Sequence, residues 1–125
     1  MGLGLVYLNR GNFSKAREQF QTLLDIRYDD DQAILGRGIT LAEEGLLEDP
    51  VARKSRLETA LSDFESVLKR RPRVVVALYN RILTFDMLGR YKEALRGIDE
   101  YISRDGRSIW AEKLRSLRGS ILDKE

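Results

Sequence analysis

Residues 78–101 read LYNRILTFDMLGRYKEALRGIDEY, and this stretch decides the fold. Leu78, Ile82 and Phe85 recur at intervals of four and three, the spacing of one helix face. Gly89 interrupts the run, and glycine readily closes a helix because it adopts φ > 0 at little cost. Beyond it Tyr91, Ala94, Ile98 and Tyr101 lay out a second apolar face with the same period. Two amphipathic helices about a glycine turn follow from these landmarks.

The same arrangement stands at residues 3–24, LGLVYLNRGNFSKAREQFQTLL, where Gly11, Phe13 and Ala16 keep the spacing of Gly89, Tyr91 and Ala94. Between the two copies lies a third. Gly38, Leu41 and Gly45 make a first helix and its turn, and Ala60, Phe64, Val67, Leu68 and Pro72 make the second helix and its end. Gly11 to Gly45 is 34 residues and Ala60 to Ala94 is again 34, but Gly45 to Gly89 is 44. Ten extra residues therefore fall between Gly45 and Ala60. Asp49 can cap a helix there and Pro50 is tolerated in a first turn. Val51, Leu57, Leu61, Phe64 and Leu68 continue an apolar face. The extra residues are expected to lengthen this helix, which would run from about Pro50 to Arg71, roughly six turns.

The pattern resembles the tetratricopeptide repeat, whose signature runs Trp-x2-Leu-Gly-x2-Tyr, then Ala-x3-Phe, then Pro. Leu3, Gly4, Tyr7, Ala16 and Phe20 match in the first copy; Gly38, Ala60, Phe64 and Pro72 in the second; Phe85 and Ala94 in the third. Departures are Tyr28 and Gly106 where Pro is common, Arg37 and Arg81 where Leu is usual, Leu41 for Tyr, and Ile82 for Gly. The resemblance covers roughly residues 1–107. It implies an all-α fold, a right-handed superhelix of antiparallel helix pairs forming one domain over residues 1–125. Repeat one would occupy 1–30, repeat two 31–74 with the inserted residues, and repeat three 75–107. Residues 108–123 would form a capping helix, begun by Ser108, with Ile109, Trp110, Leu114, Leu117 and Ile121 inward and Lys113, Arg115, Arg118, Asp123 and Lys124 outward. Gly4, Gly38, Ala16, Ala60 and Ala94 would let helices approach, and Tyr7, Phe20, Phe64 and Phe85 would fill the space between them. Met1 starts partway into the first helix of its repeat, so the sequence reads as a piece of a longer protein or as one with a short first helix.

Composition narrows the function. Lys and Arg number 22 against 20 Asp and Glu, a net charge of +2, with the signs interleaved. No nucleic-acid partner is expected, since phosphate binding needs a concentrated basic face. The one dense run, Lys69, Arg70, Arg71 and Arg73, reads as a helix end stabilised by the macrodipole. Asp25, Asp29, Asp30 and Asp31 lack the pattern of a calcium loop and read as a turn with a capping Asp. With no cysteine and no histidine, thiolate and imidazole chemistry is excluded. No apolar stretch reaches the ~18 residues of a membrane span, and no basic region precedes the apolar start, so a cytoplasmic location is the default. No phosphate loop, dinucleotide fingerprint or nucleophile elbow occurs. A non-catalytic protein without cofactor or metal is expected.

The resemblance further implies a protein-interaction module, a scaffold or adaptor, whose concave face is lined by the first helix of each repeat. The residues falling there are Leu5 and Leu8, then Gln32, Leu35 and Ile39, then Val76, Tyr79, Leu83 and Asp86. They propose a groove for a peptide or the apolar face of a helix, with Tyr79 as its anchor. Leu5 and Ile39 stand where a carboxylate-binding clamp would want polar groups, so no such clamp is expected. Arg37 and Arg81 occupy equivalent, usually packed positions, and a buried guanidinium needs a partner. The alternatives are the repeat region of a larger enzyme or sensor, and a homo-oligomer assembled through Leu3, Val6 and Tyr7.

Overall fold

The computed structural model describes residues 12–124. Among them the chain forms six helices and no strand: α1 (Phe13–Ile26), α2 (Asp31–Gly45), α3 (Pro50–Arg70), α4 (Val75–Met87), α5 (Tyr91–Arg104) and α6 (Ile109–Lys124). The fold is all-α and tetratricopeptide-like.

Local chemistry sets most helix starts. Asn12, Asp30 and Ser108 each accept a backbone N–H three residues on, from Lys15, Ala33 and Ala111, all at 3.2 Å. Asp49 takes two, from Val51 at 3.1 Å and Ala52 at 3.0 Å, and Pro50 opens the helix where the sequence predicts it. The stops are more varied. Gly89 alone among the described residues has positive φ, +76°, and the N–H of Arg90 closes back onto the Phe85 carbonyl at 2.8 Å. Gly45, expected to act likewise, is instead the last residue of α2 and does not adopt positive φ. Gly11 lies outside the described residues.

Each helix packs on the next, and α2 also touches α4, as α4 touches α6. First helices thus line up along one side of the stack. The residues expected to set the helix spacing are buried: Ala16, Ala60, Ala94, Phe20 and Phe64 are fully inaccessible, and Phe85 nearly so. A Cβ added to Gly38 would sit 2.8 Å from the Phe64 ring, so α2 meets α3 at a distance that only glycine permits.

Two charge runs answer each other. Arg70 and Arg71, closing α3, both pair with Asp31 at the start of α2, Arg71 at 3.2 Å. Asp30 beside it is the helix cap. The basic and acidic runs therefore join the α3–α4 turn to the α1–α2 turn.

Helix α3 has 21 residues against 14 in α1 and in α5. Val51, read as part of its apolar face, is instead 82% exposed. The physical reason is reach: the seven added residues carry the helix about 10 Å beyond helices of its neighbours' length.

Candidate functional site

The side formed by the first helices carries the residues the sequence singled out. On α2, Gln32 is exposed, while Leu35 and Ile39 are half-buried against the cluster of Leu41, Leu57, Ala60 and Phe64. On α4, Val76 is 40% exposed and Tyr79 and Leu83 are half-buried. Leu5 and Leu8 lie outside the described residues. The spacings Gln32–Leu35–Ile39 and Val76–Tyr79–Leu83 are both three then four, so each row occupies one helix face.

Tyr79 is not an open anchor. Its ring meets Trp110 of α6 edge-on, with centroids 5.1 Å apart and planes at 61°, and it packs against the core around Ile82, Ile98 and Leu114. Asp86 is also engaged: Lys124 donates to both of its oxygens, at 2.9 and 3.2 Å, and its side chain is 12% exposed. That hydrogen bond raises the pKa of Lys124 above its ordinary value. Among the described residues, Gln32 and Val76 are the exposed members of the expected surface, and Leu35, Ile39 and Leu83 are half-buried like Tyr79.

Helix α6 extends this side further than expected. Trp110, Lys113 and Leu117 stand 34 residues after Val76, Tyr79 and Leu83. Trp110 and Leu117 are half-buried, and the Lys113 ammonium lies 5.3 Å from the centroid of the Trp110 ring. The signal was the same 34-residue step that revealed the repeats, carried one step further.

The two arginines differ. Arg37 forms a two-pronged contact with Asp63 of α3, Nε to Oδ2 at 3.0 Å and Nη2 to Oδ1 at 2.7 Å, and Nη1 donates to Gln21 of α1 at 3.1 Å. The hydrogen bonds to Asp63 hold its pKa further above the ordinary guanidinium value, against the cost of burial. Arg37 lines a recess with Gln21, Asp25 and Thr59, between the second helices. For Arg81 the expectation of a partner fails at Nε, which is buried with no hydrogen bond among the described residues.

The cause is one exchange of bulk. The residue 34 after Asp63 is Gly97, which has no carboxylate to offer. A Cβ on Gly97 would lie 3.0 Å from Ile82, the residue standing where α2 has Gly38. In the α2–α3 pair the first helix is small and the second carries the acid. In the α4–α5 pair the first helix is large and the second is bare.

No helix among the described residues is long and apolar enough to cross a membrane. The tetratricopeptide repeat family matches residues 1–49 and 52–107, and the break between these segments falls in the first turn of α3. No curated protein matches the chain. Repeats of this family are generally protein–protein interaction modules and typically non-catalytic. With matching segments over most of its length and paired helices stacked in register, the chain belongs to the tetratricopeptide repeat family.

Proposed function

We propose that the protein is a scaffold or adaptor that holds an apolar face of a partner helix, or an extended peptide, on the side lined by α2, α4 and α6. The observation that carries this reading is the recurrence of partly exposed apolar side chains at equivalent places. Leu35 and Tyr79 stand at one such place and Ile39, Leu83 and Leu117 at another, while Trp110 takes the place of Val76 and Lys113 that of Tyr79. The local cations do not favour an acidic ligand, because Lys124 is engaged by Asp86 and Lys113 lies over Trp110. An apolar ligand fits such a row through area removed from water, with few charged contacts to set its direction.

The repeats divide in this reading as 1–30, 31–74 and 75–107, and α6 closes the stack. Where α4 presents Ile82 and Phe85 to its partner helix, α6 has Ser116 and Gly119 at the equivalent positions. Nothing lies within 4 Å of a Cβ placed on Gly119, so this side of α6 is open, and Ile109, expected to face inward, is 65% exposed there with Leu122 at 43%.

The test is affinity capture from native extract with a Val76→Ala, Leu83→Ala variant beside the unaltered protein. Val76 and Leu83 are preferred to Tyr79, whose loss would also loosen Trp110. A protein retained by the unaltered chain and lost by the variant supports the reading, while equal retention by both overturns it.

A further inference from the structure

The corner where α2 turns into α3 inverts the usual placement of charge and carbon. Leu46, Leu47 and Val51 are 49%, 76% and 82% exposed. Arg53, Arg56, Glu44 and Glu48 beside them are turned onto one another and onto the backbone. Arg53 donates to the carbonyls of Gly45, Leu46 and Glu48 at 3.3, 3.2 and 3.4 Å. Arg56 bridges Glu48 at 2.6 Å and Glu44 at 3.3 Å, and Arg17 of α1 joins Glu44 at 2.9 Å. The corner is thus held in shape while its aliphatic side chains face water, an arrangement that favours association.

From this corner a recess of about 660 Å³ runs along the outward face of α3, lined by Pro50, Val51, Lys54, Ser55, Glu58 and Ser62. Lys54 and Glu58 are exposed, and neither forms an ion pair among the described residues. They stand one helical turn apart.

We propose that this face is where a second copy of the chain binds, α3 against α3 in antiparallel sense about a twofold axis level with residue 56. The occupant follows from charge. With the axis midway between them, Lys54 of each copy opposes Glu58 of the other, so one pair of residues supplies two ion pairs. A parallel pairing would set Lys54 against Lys54. The small Ser55 and Ser62 allow the helices to come close, and Val51 of each copy reaches the Ser62 end of the other. A single helix face buries area at the low end of the range for specific interfaces, so the dimer is reversible and depends on concentration. This inference is independent of the groove on the other side of the stack.

Sedimentation velocity over a concentration series tests it. The unaltered chain is expected to move from monomer mass toward twice that mass. Lys54→Glu or Glu58→Lys alone places like charges opposite each other and is expected to weaken association roughly tenfold. The double exchange, Lys54→Glu with Glu58→Lys, restores it. Both positions are exposed, and matched circular dichroism spectra establish that the variants stay folded. Because the chain has no cysteine, Ser55→Cys adds a second readout, a disulfide-linked dimer under mild oxidation. A monomer at every concentration overturns the proposal and leaves the face to a different protein. Single reversals that associate normally, or a double exchange that fails to recover, overturn it as well.

Discussion

The Arg37 guanidinium grips the Asp63 carboxylate through two parallel hydrogen bonds, of 3.0 and 2.7 Å, and so ties the first helix of a pair to the second. Asp63 is 5% exposed, and it is among the few charged or polar residues that are fully buried. Removing the acid leaves a half-buried cation without its partner. Asp63→Ala is expected to cost about 2 to 3 kcal/mol, less than a fully buried pair because the Arg37 side chain stays 30% exposed. Urea unfolding measures the loss. Replacing both residues together, Arg37→Met with Asp63→Leu, is expected to cost less than Asp63→Ala alone.

Arg81 can be given the acid it lacks. Gly97→Asp alone forces a Cβ against Ile82 and is expected to destabilise by about 1 to 3 kcal/mol. Ile82→Gly alone loses a buried side chain that is 1% exposed. Together they recreate the Gly38–Asp63 arrangement, so a double-mutant cycle should show favourable coupling of about 1 to 3 kcal/mol. Zero coupling would mean that bulk at Ile82 is not what excludes the carboxylate.

The Tyr79–Trp110 contact fastens α6 to α4. An edge-on aromatic pair contributes about 0.5 to 1.5 kcal/mol beyond the area it buries. Tyr79→Leu keeps most of that area and is expected to lose about this amount. Trp110 is the chain's one tryptophan, so its emission should shift to longer wavelength in the variant as the ring gains water.

Acid should loosen the turn between α5 and α6. Ser108 and Tyr101 hydrogen-bond the Asp105 carboxylate, and with backbone N–H groups they hold its pKa below the ordinary 3.8. A depressed folded-state pKa contributes stability above the unfolded value and loses it as pH falls through the folded one. The contribution is therefore intact at neutral pH and disappears below about pH 4. Tyr101→Phe removes one donor and should raise the Asp105 pKa, read by NMR titration of its carboxyl carbon.

Much of this structure was legible because a 34-residue step repeats with little drift. The step placed Ala16, Ala60 and Ala94 at helix crossings, and Asp49–Pro50 announced the start of α3. Gly45 misled because a glycine near a helix end need not adopt positive φ; Gly89 does, while Gly45 completes the helix. Val51 misled because helical period reveals a face but not whether a neighbouring helix is long enough to cover it. Trp110, Lys113 and Leu117 were in view through the same step but read as a cap. The Arg17–Glu44–Arg56–Glu48 network was not legible, since long side chains on three helices meet only after packing fixes their separation.

The most direct measurement is the affinity of a captured partner segment for three proteins: the unaltered chain, Val76→Ala with Leu83→Ala, and Ser62→Arg on the opposite side of the stack. Binding in the row of α2, α4 and α6 predicts a loss of about tenfold or more, roughly 1.4 kcal/mol, for the first variant and unchanged affinity for the second. Equal affinity for all three, or a loss confined to Ser62→Arg, would contradict it.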